Sequence, residues 1–160
     1  MVVAEKKHKI TMDEDVFSVF GRHEDKVFVH QGQRRPLGGE DEIVALKTIF
    51  ENFNKFQLIG LPAVAEKNIV HLQSLVRTYN YKNILNRAEI KLKIEELRNC
   101  FEDEKLGQEE FQLVAEAENA NIGILLTFNP TLIDEGKRLR VKDILKVEIM
   151  KPSGYVRKYL

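Results

Sequence analysis

Apolar residues return at steps of three and four in three separate stretches, and that period restricts the chain to folds in which several helices lie on a common core. Ile43, Leu46, Phe50 and Phe53 make the first stripe, Ala65, Ile69, Leu72, Val76 and Tyr79 the second, and Ile90, Ile94, Leu97 and Phe101 the third. Glu40, Asp41 and Glu42 place acids where a helix N-terminus favours negative charge, and the first helix should end near Phe56, before Gly60 and Pro62. Upstream, Val16, Phe17, Val19 and Phe20 face Val27, Phe28 and Val29 across a polar turn, a pattern that predicts a β-hairpin over Asp15 to His30. Gln31 to Gly39, rich in glycine and arginine, reads as a loop. It lacks the spacing and terminal lysine of a phosphate-cradling P-loop.

At 160 residues the chain suits one ordinary domain or two small modules sharing a core. A lone cysteine, Cys100, excludes an intramolecular disulfide and a cysteine zinc site, and reads as a small core residue in a reducing compartment. The start carries Lys6, Lys7 and Lys9 without the apolar run of a secretory signal, and the longest apolar run, Ile122 to Phe128, falls far short of a membrane span. These features predict a protein that resides in the cytoplasm, or in a particle or virion assembled there, with no membrane partner.

Basic and acidic residues balance at 25 each, but they are segregated. Residues 95–118 carry nine acids against Arg98 and Lys105, whereas residues 137–160 carry eight bases against Asp143 and Glu148. Such a dipolar chain packs its own halves together or stacks acidic face on basic face with a neighbour. Arg77, Tyr79, Tyr81, Lys82 and Arg87 interleave charge with aromatic rings, a mixture that can grip a nucleic-acid backbone and stack bases, although it reads more readily as a solvated helix face with two rim tyrosines. Arg157 and Lys158, in a basic aromatic tail, are further candidates for nucleic-acid or acidic-partner contacts.

No nucleophile or metal signature of the Gly-x-Ser-x-Gly or His-Glu-x-x-His kind occurs. His71 stands alone beside the second stripe and reads as structural. The carboxylates fall in runs that look exposed, where no burial would shift a pKa for acid–base work. The expectation is therefore a non-enzymatic protein with no catalytic residues, no metal site and no cofactor.

The C-terminal third is punctuated differently. Gly107 permits a turn, Phe111, Val114 and Ala115 share a helical face, and Leu125-Leu126 open a second short apolar face. Asn129-Pro130 reads as the stop of that second helix, and Gly136 as the turn into a strand where Leu139 and Val141 alternate with Arg138, Arg140 and Lys142. Leu145, Val147 and Ile149 continue the alternation as a hairpin arm. An alternative helix-turn-helix would need Ile122 to Phe128 to read base edges, and that segment is nearly all apolar.

This spacing of glycine turn, apolar-alanine helix, Leu-Leu-x-x-Asn-Pro and closing Gly-x-x-Leu-x-Val resembles the LysM family over about a quarter of the chain. The family usually has an aspartate and a small hydroxyl residue after its glycine, and an aromatic-proline pair before the closing glycine; here Gln108-Glu109 and Asp134-Glu135 stand there. The resemblance implies a strand-helix-helix-strand module with a shallow, here acidic, groove for N-acetylglucosamine glycans or a partner protein. Its lining would be Gly107, Gln108, Glu109, Glu110, Thr131, Leu132, Ile133 and Asp134.

Together these readings give an α+β fold: an N-terminal hairpin and helical region over 1–98, a LysM-like module with a following strand over 99–150, and a tail over 151–160. The expected role is structural, making contacts with itself or other structural proteins, as in a phage tail or baseplate of a contractile injection system. Peptidoglycan binding is the alternative, and nucleic-acid binding a further one.

Overall fold

The structure, a computed structural model, describes residues 8–17, 39–61, 76–78, 87–100 and 107–160. The protein mixes helices with one sheet of five parallel strands. The strands are β1 (His8–Met12), β2 (Phe56–Gly60), β3 (Val76–Thr78), β4 (Ile124–Leu126) and β5 (Glu148–Met150), in the order β3-β2-β1-β4-β5. β1 is central because its side chains suit burial on both faces: Ile10, Thr11 and Met12 are inaccessible to solvent. Thr11 is tolerated there because its hydroxyl donates to the Ile59 carbonyl at 2.8 Å. The same sheet thus joins strands from both ends of the sequence, with Ile10 opposite Leu58 on one side and Ile124 on the other.

The helices are α1 (Gly39–Glu51), α2 (Arg87–Cys100), α3 (Gln108–Asn119), α4 (Pro130–Val141) and α5 (Pro152–Tyr159). Of the first stripe predicted from sequence, Ile43, Leu46 and Phe50 lie in α1, where Leu46 is buried with Ala45 and Ile49. The helix ends at Glu51, short of the expected Phe56, and Phe53 begins a single 3-10 turn, Phe53–Lys55, that leads into β2. Of the third stripe, Ile90, Ile94 and Leu97 lie in α2, which buries Ile94 and Leu97, and Phe101 lies outside the described residues. Along the sheet, β1 to β2 steps one way and β4 to β5 the other. Right-handed connections therefore put α1 and α4 on opposite faces. α5 lies on the α1 face, where Ser153 bonds Glu42 and the Tyr155 ring meets Phe56 edge-on.

Several expectations are corrected by this architecture. Residues 14–17 form a helical turn rather than the first arm of a hairpin, and the rest of Asp15 to His30 lies outside the described residues. Of the predicted second helix, Val76 begins strand β3, while Ala65, Ile69, Leu72 and Tyr79 lie outside the described residues. Leu125 and Leu126 are strand, not helix, because a short run buried on both faces carries no period that separates the two. Asn129-Pro130 starts a helix instead of stopping one: the Asn129 side chain accepts from the Thr131 and Leu132 amides, and Pro130 occupies the first turn, where no amide hydrogen is needed.

Leu139 to Val141 is consequently the end of α4, whose buried stripe is Leu132, Ile133, Gly136 and Leu139, with Val141 exposed. Residues 148–150 pair in parallel with β4 rather than forming a hairpin with 139–141. The stretch resembling LysM therefore folds as helix, strand, helix, strand, and not as strand, helix, helix, strand. α3 and α4 both end in a left-handed residue, Asn121 (φ 58) and Asp143 (φ 59). The Ile122 amide then returns to the Ala117 carbonyl and the Ile144 amide to the Leu139 carbonyl, each at 2.9 Å, closing the helix end.

Gly136 is where α4 presses on the sheet. A Cβ at that position would stand 2.8 Å from Ile149 Cδ1 and 3.2 Å from its Cβ. Gly136→Val is expected to cost about 1–3 kcal/mol through overpacking, read as a lower urea midpoint with an unchanged slope. Among the described residues, no helix is long and apolar enough to cross a membrane.

Candidate functional site at the carboxyl ends of β1 and β4

Open parallel sheets place ligands outside the carboxyl ends of their strands, where the strand order reverses. Here the reversal lies between β1 and β4, and it gathers polar groups from four segments. Asp13 directly follows β1 and continues its ladder, its amide donating to the Leu126 carbonyl at 3.1 Å. Its carboxylate accepts from the Val16 amide at 2.9 Å, capping the helical turn, and from the Thr127 hydroxyl beyond β4. Thr127 is wholly buried, and its oxygen in turn accepts from the Asn129 amide at 3.1 Å. Asn129 caps α4, so the positive end of that helix opens on the same spot.

α3 leads into β4 and runs opposite to the strands, which brings its N-terminus to this edge as well. Glu110, in its first turn, accepts from the Gly107 amide at 2.9 Å and is close enough to Asp13 for their charges to repel. Burial is the main reason the Asp13 carboxyl is pushed up to about 6, and the negative charges of Asp15 and Glu110 add to it; the bonds from Thr127 and Val16 pull the other way. Among the described residues, no lysine or arginine pairs with Asp13, Asp15, Glu109 or Glu110.

The groove residues expected from sequence do reach this edge, but only some face it. Gly107, Gln108 and Glu109 are exposed at the start of α3, with Gln108 tied to Arg98 of α2. Thr131 is half-buried in the first turn of α4 and Asp134 is exposed, whereas Leu132 points into the core and the largely buried Ile133 borders a concavity beside β5. The proposed nucleic-acid contacts are not brought together. Arg77 sits in β3 at one margin of the sheet; Arg157 and Lys158 sit at the end of α5, where Lys158 pairs with Glu148 of the opposite margin. Arg87 is exposed at the start of α2, and Tyr79, Tyr81 and Lys82 lie outside the described residues.

Sequence reasoning missed Asp13 because it stands in the acidic run Asp13-Glu14-Asp15, which looks solvated. The usable signal was the short run His8 to Met12 ending in an acid, the form of a buried parallel strand that delivers a side chain to its carboxyl end. Among the described residues, no three His, Cys, Asp or Glu side chains converge as a metal cage. Asp13 and Glu110 are near enough for their charges to interact, and one or two carboxylates suffice for a cation such as Mg²⁺, which keeps several waters and takes further ligands from a phosphate. No family model matches the chain, and no curated protein or solved structure was found to match it.

Proposed function

We propose that the carboxyl ends of β1 and β4 bind a divalent cation together with a phosphate ester, and that the protein hydrolyses that ester. The observation that carries this reading is Asp13, a half-buried carboxylate held at the switch point with its carboxyl raised to about 6 and, among the described residues, no ion pair to a basic side chain. Left to itself, so acidic an edge repels phosphate. A cation held by Asp13 and Glu110 reverses that sign, and the N-terminus of α4 adds a favourable field for the phosphate oxygens. In the reaction, water adds to phosphorus, the bond to the leaving oxygen breaks, and that oxygen leaves with a proton.

Calorimetric titration with Mn²⁺ at pH 8 is expected to show binding that Asp13→Asn weakens at least about tenfold, because one anionic ligand is lost. Binding should also weaken below about pH 6, where the cation competes with a proton. Hydrolysis of bis(p-nitrophenyl) phosphate with Mn²⁺ should follow the same variant. Unchanged binding in Asp13→Asn, or no binding by the wild-type chain, sinks the proposal.

A second reading is the assembly protein, as in a tail or baseplate of a contractile particle. One observation favours it: the ion pairs formed by Arg138, Arg140 and Lys158 go to Glu135 and Glu148, not to the acidic stretch over 95–118. Within the acidic stretch, Glu96 and Glu118 are engaged by Lys93, and Glu118 also accepts from the Lys146 amide. Among the described residues the charge left for neighbours is therefore partial: Glu95 and Glu109 on one side, and Lys137, Lys142 and Lys151 on the other, form no ion pair. Sedimentation velocity is expected to show association at low salt that high salt abolishes; a monomer in both conditions ends this reading.

A further inference from the structure

A concavity of about 430 Å³, with neither Asp13 nor Glu110 in its lining, is bounded by one side of α4, by β5 and by α5. Since α4 and α5 lie on opposite faces of the sheet, a groove that touches both must straddle the margin of β5. Among the described residues, β5 pairs with β4 alone. The Glu148 amide donates to Gly123 and the Met150 carbonyl accepts from Thr127, so those residues turn their peptide groups inward. Ile149, between them, turns its N–H and C=O outward into the groove.

Charge identifies what suits this margin. Lys137, Arg140, Lys151, Arg157 and Lys158 line the groove against Asp134 and Glu148. Glu148 is already engaged by Arg140, Lys158 and the Tyr159 hydroxyl. Lys137, Lys151 and Arg157 form no ion pair among the described residues, and all three are exposed. Ile133 and Met150 give the floor apolar patches. Single-stranded nucleic acid is fitted poorly, because such grooves stack bases on aromatic rings and none lines this one.

We infer that this margin docks an acidic, extended peptide segment of a partner protein, which adds to the sheet as a sixth strand beside β5. Backbone bonds to Ile149 set the register, and alternate acidic side chains meet Lys137 on the α4 wall and Lys151 and Arg157 on the α5 wall. The site is independent of Asp13.

The test uses the full chain and a fluorescein-labelled octapeptide of alternating valine and glutamate, followed by anisotropy at low salt. Binding is expected to fall about tenfold in Lys137→Glu and in Arg157→Glu, through lost attraction and added repulsion. It should fall as far when alternate peptide nitrogens are methylated, which removes strand bonding but no charge, and it should be unchanged in Asp13→Asn. Equal binding of the methylated peptide, indifference to the two charge reversals, or tighter binding of an eight-nucleotide thymidine strand at this groove overturns the inference.

Discussion

Asp13→Asn is expected to make the protein more stable at pH 8 while removing its affinity for the cation. The folded chain holds the Asp13 proton with a pKa of about 6, against an ordinary value of 3.8. Folding therefore favours the protonated carboxyl. That contribution is fully present below about pH 4 and is lost as the pH rises through 6, so at pH 8 the ionised group opposes folding by about 3 kcal/mol. An amide of the same shape carries no such cost. It keeps the bond from Val16 and loses the one from the Thr127 hydroxyl, a loss of about 1 kcal/mol.

The difference leaves a gain of about 1–2 kcal/mol, or roughly 5 °C in Tm for a chain of this size. The gain should shrink between pH 6 and pH 4, because the wild-type carboxyl is then protonated in the folded state too. Thermal melts of both proteins across that range decide the matter. A variant less stable than wild type at pH 8 would mean that the carboxylate serves as a helix cap and nothing more. A gain in stability joined to a loss of cation binding is what strain kept for function looks like.

How much of this was legible in the sequence follows from where local pattern and tertiary burial agree. α1 and α2 were readable because one face of each is buried and the other wet, so the period of three and four survives in Ile43, Leu46 and Phe50, and in Ile90, Ile94 and Leu97. The strands were not. β1 and β4 are buried on both faces, which erases the alternation that marks a half-buried strand, and the three residues of Ile124–Leu126 are too few to establish a period.

That single ambiguity spread. With Leu125-Leu126 taken as helix, Asn129-Pro130 became a stop, although an asparagine followed by proline is equally the start of a helix, and Gly136 became a turn. In the structure Gly136 is instead the helix position at which Ile149 leaves no room for a side chain. The site suffered likewise. Gly107 to Glu110 and Thr131 lie at helix starts that flank the Asp13 edge, whereas Asp13 is distant from them in sequence and meets Thr127 only once β1 and β4 are paired.

Tyr155→Ala should be among the most damaging single substitutions in the chain. The sequence suggests a basic aromatic tail from residue 151 onward, yet Tyr155 is inaccessible to solvent, packed edge-on against Phe56 at 6.0 Å and tilted against Tyr159 at 5.2 Å. It anchors the middle of an eight-residue helix that is also held at both ends. At its start, buried Glu42 of α1 accepts from the Ser153 amide at 2.9 Å and the Ser153 hydroxyl at 2.8 Å. Toward its end, Glu148 accepts from the Tyr159 hydroxyl at 2.8 Å and from Lys158.

The end contacts near Glu148 are largely exposed and contribute little. The ring carries the docking, and deleting it should cost about 3–5 kcal/mol, a fall in Tm of roughly 10 °C or more. Glu42→Ala should cost less, about 1–3 kcal/mol, since it leaves two donors of one helix turn without their acceptor but removes little apolar contact. Because α5 forms one wall of the groove beside β5, Tyr155→Ala should also lose the octapeptide, whereas Glu42→Ala should weaken it less. A Tyr155→Ala protein within about 1 kcal/mol of wild type would show that α5 adds nothing to the stability of the sheet.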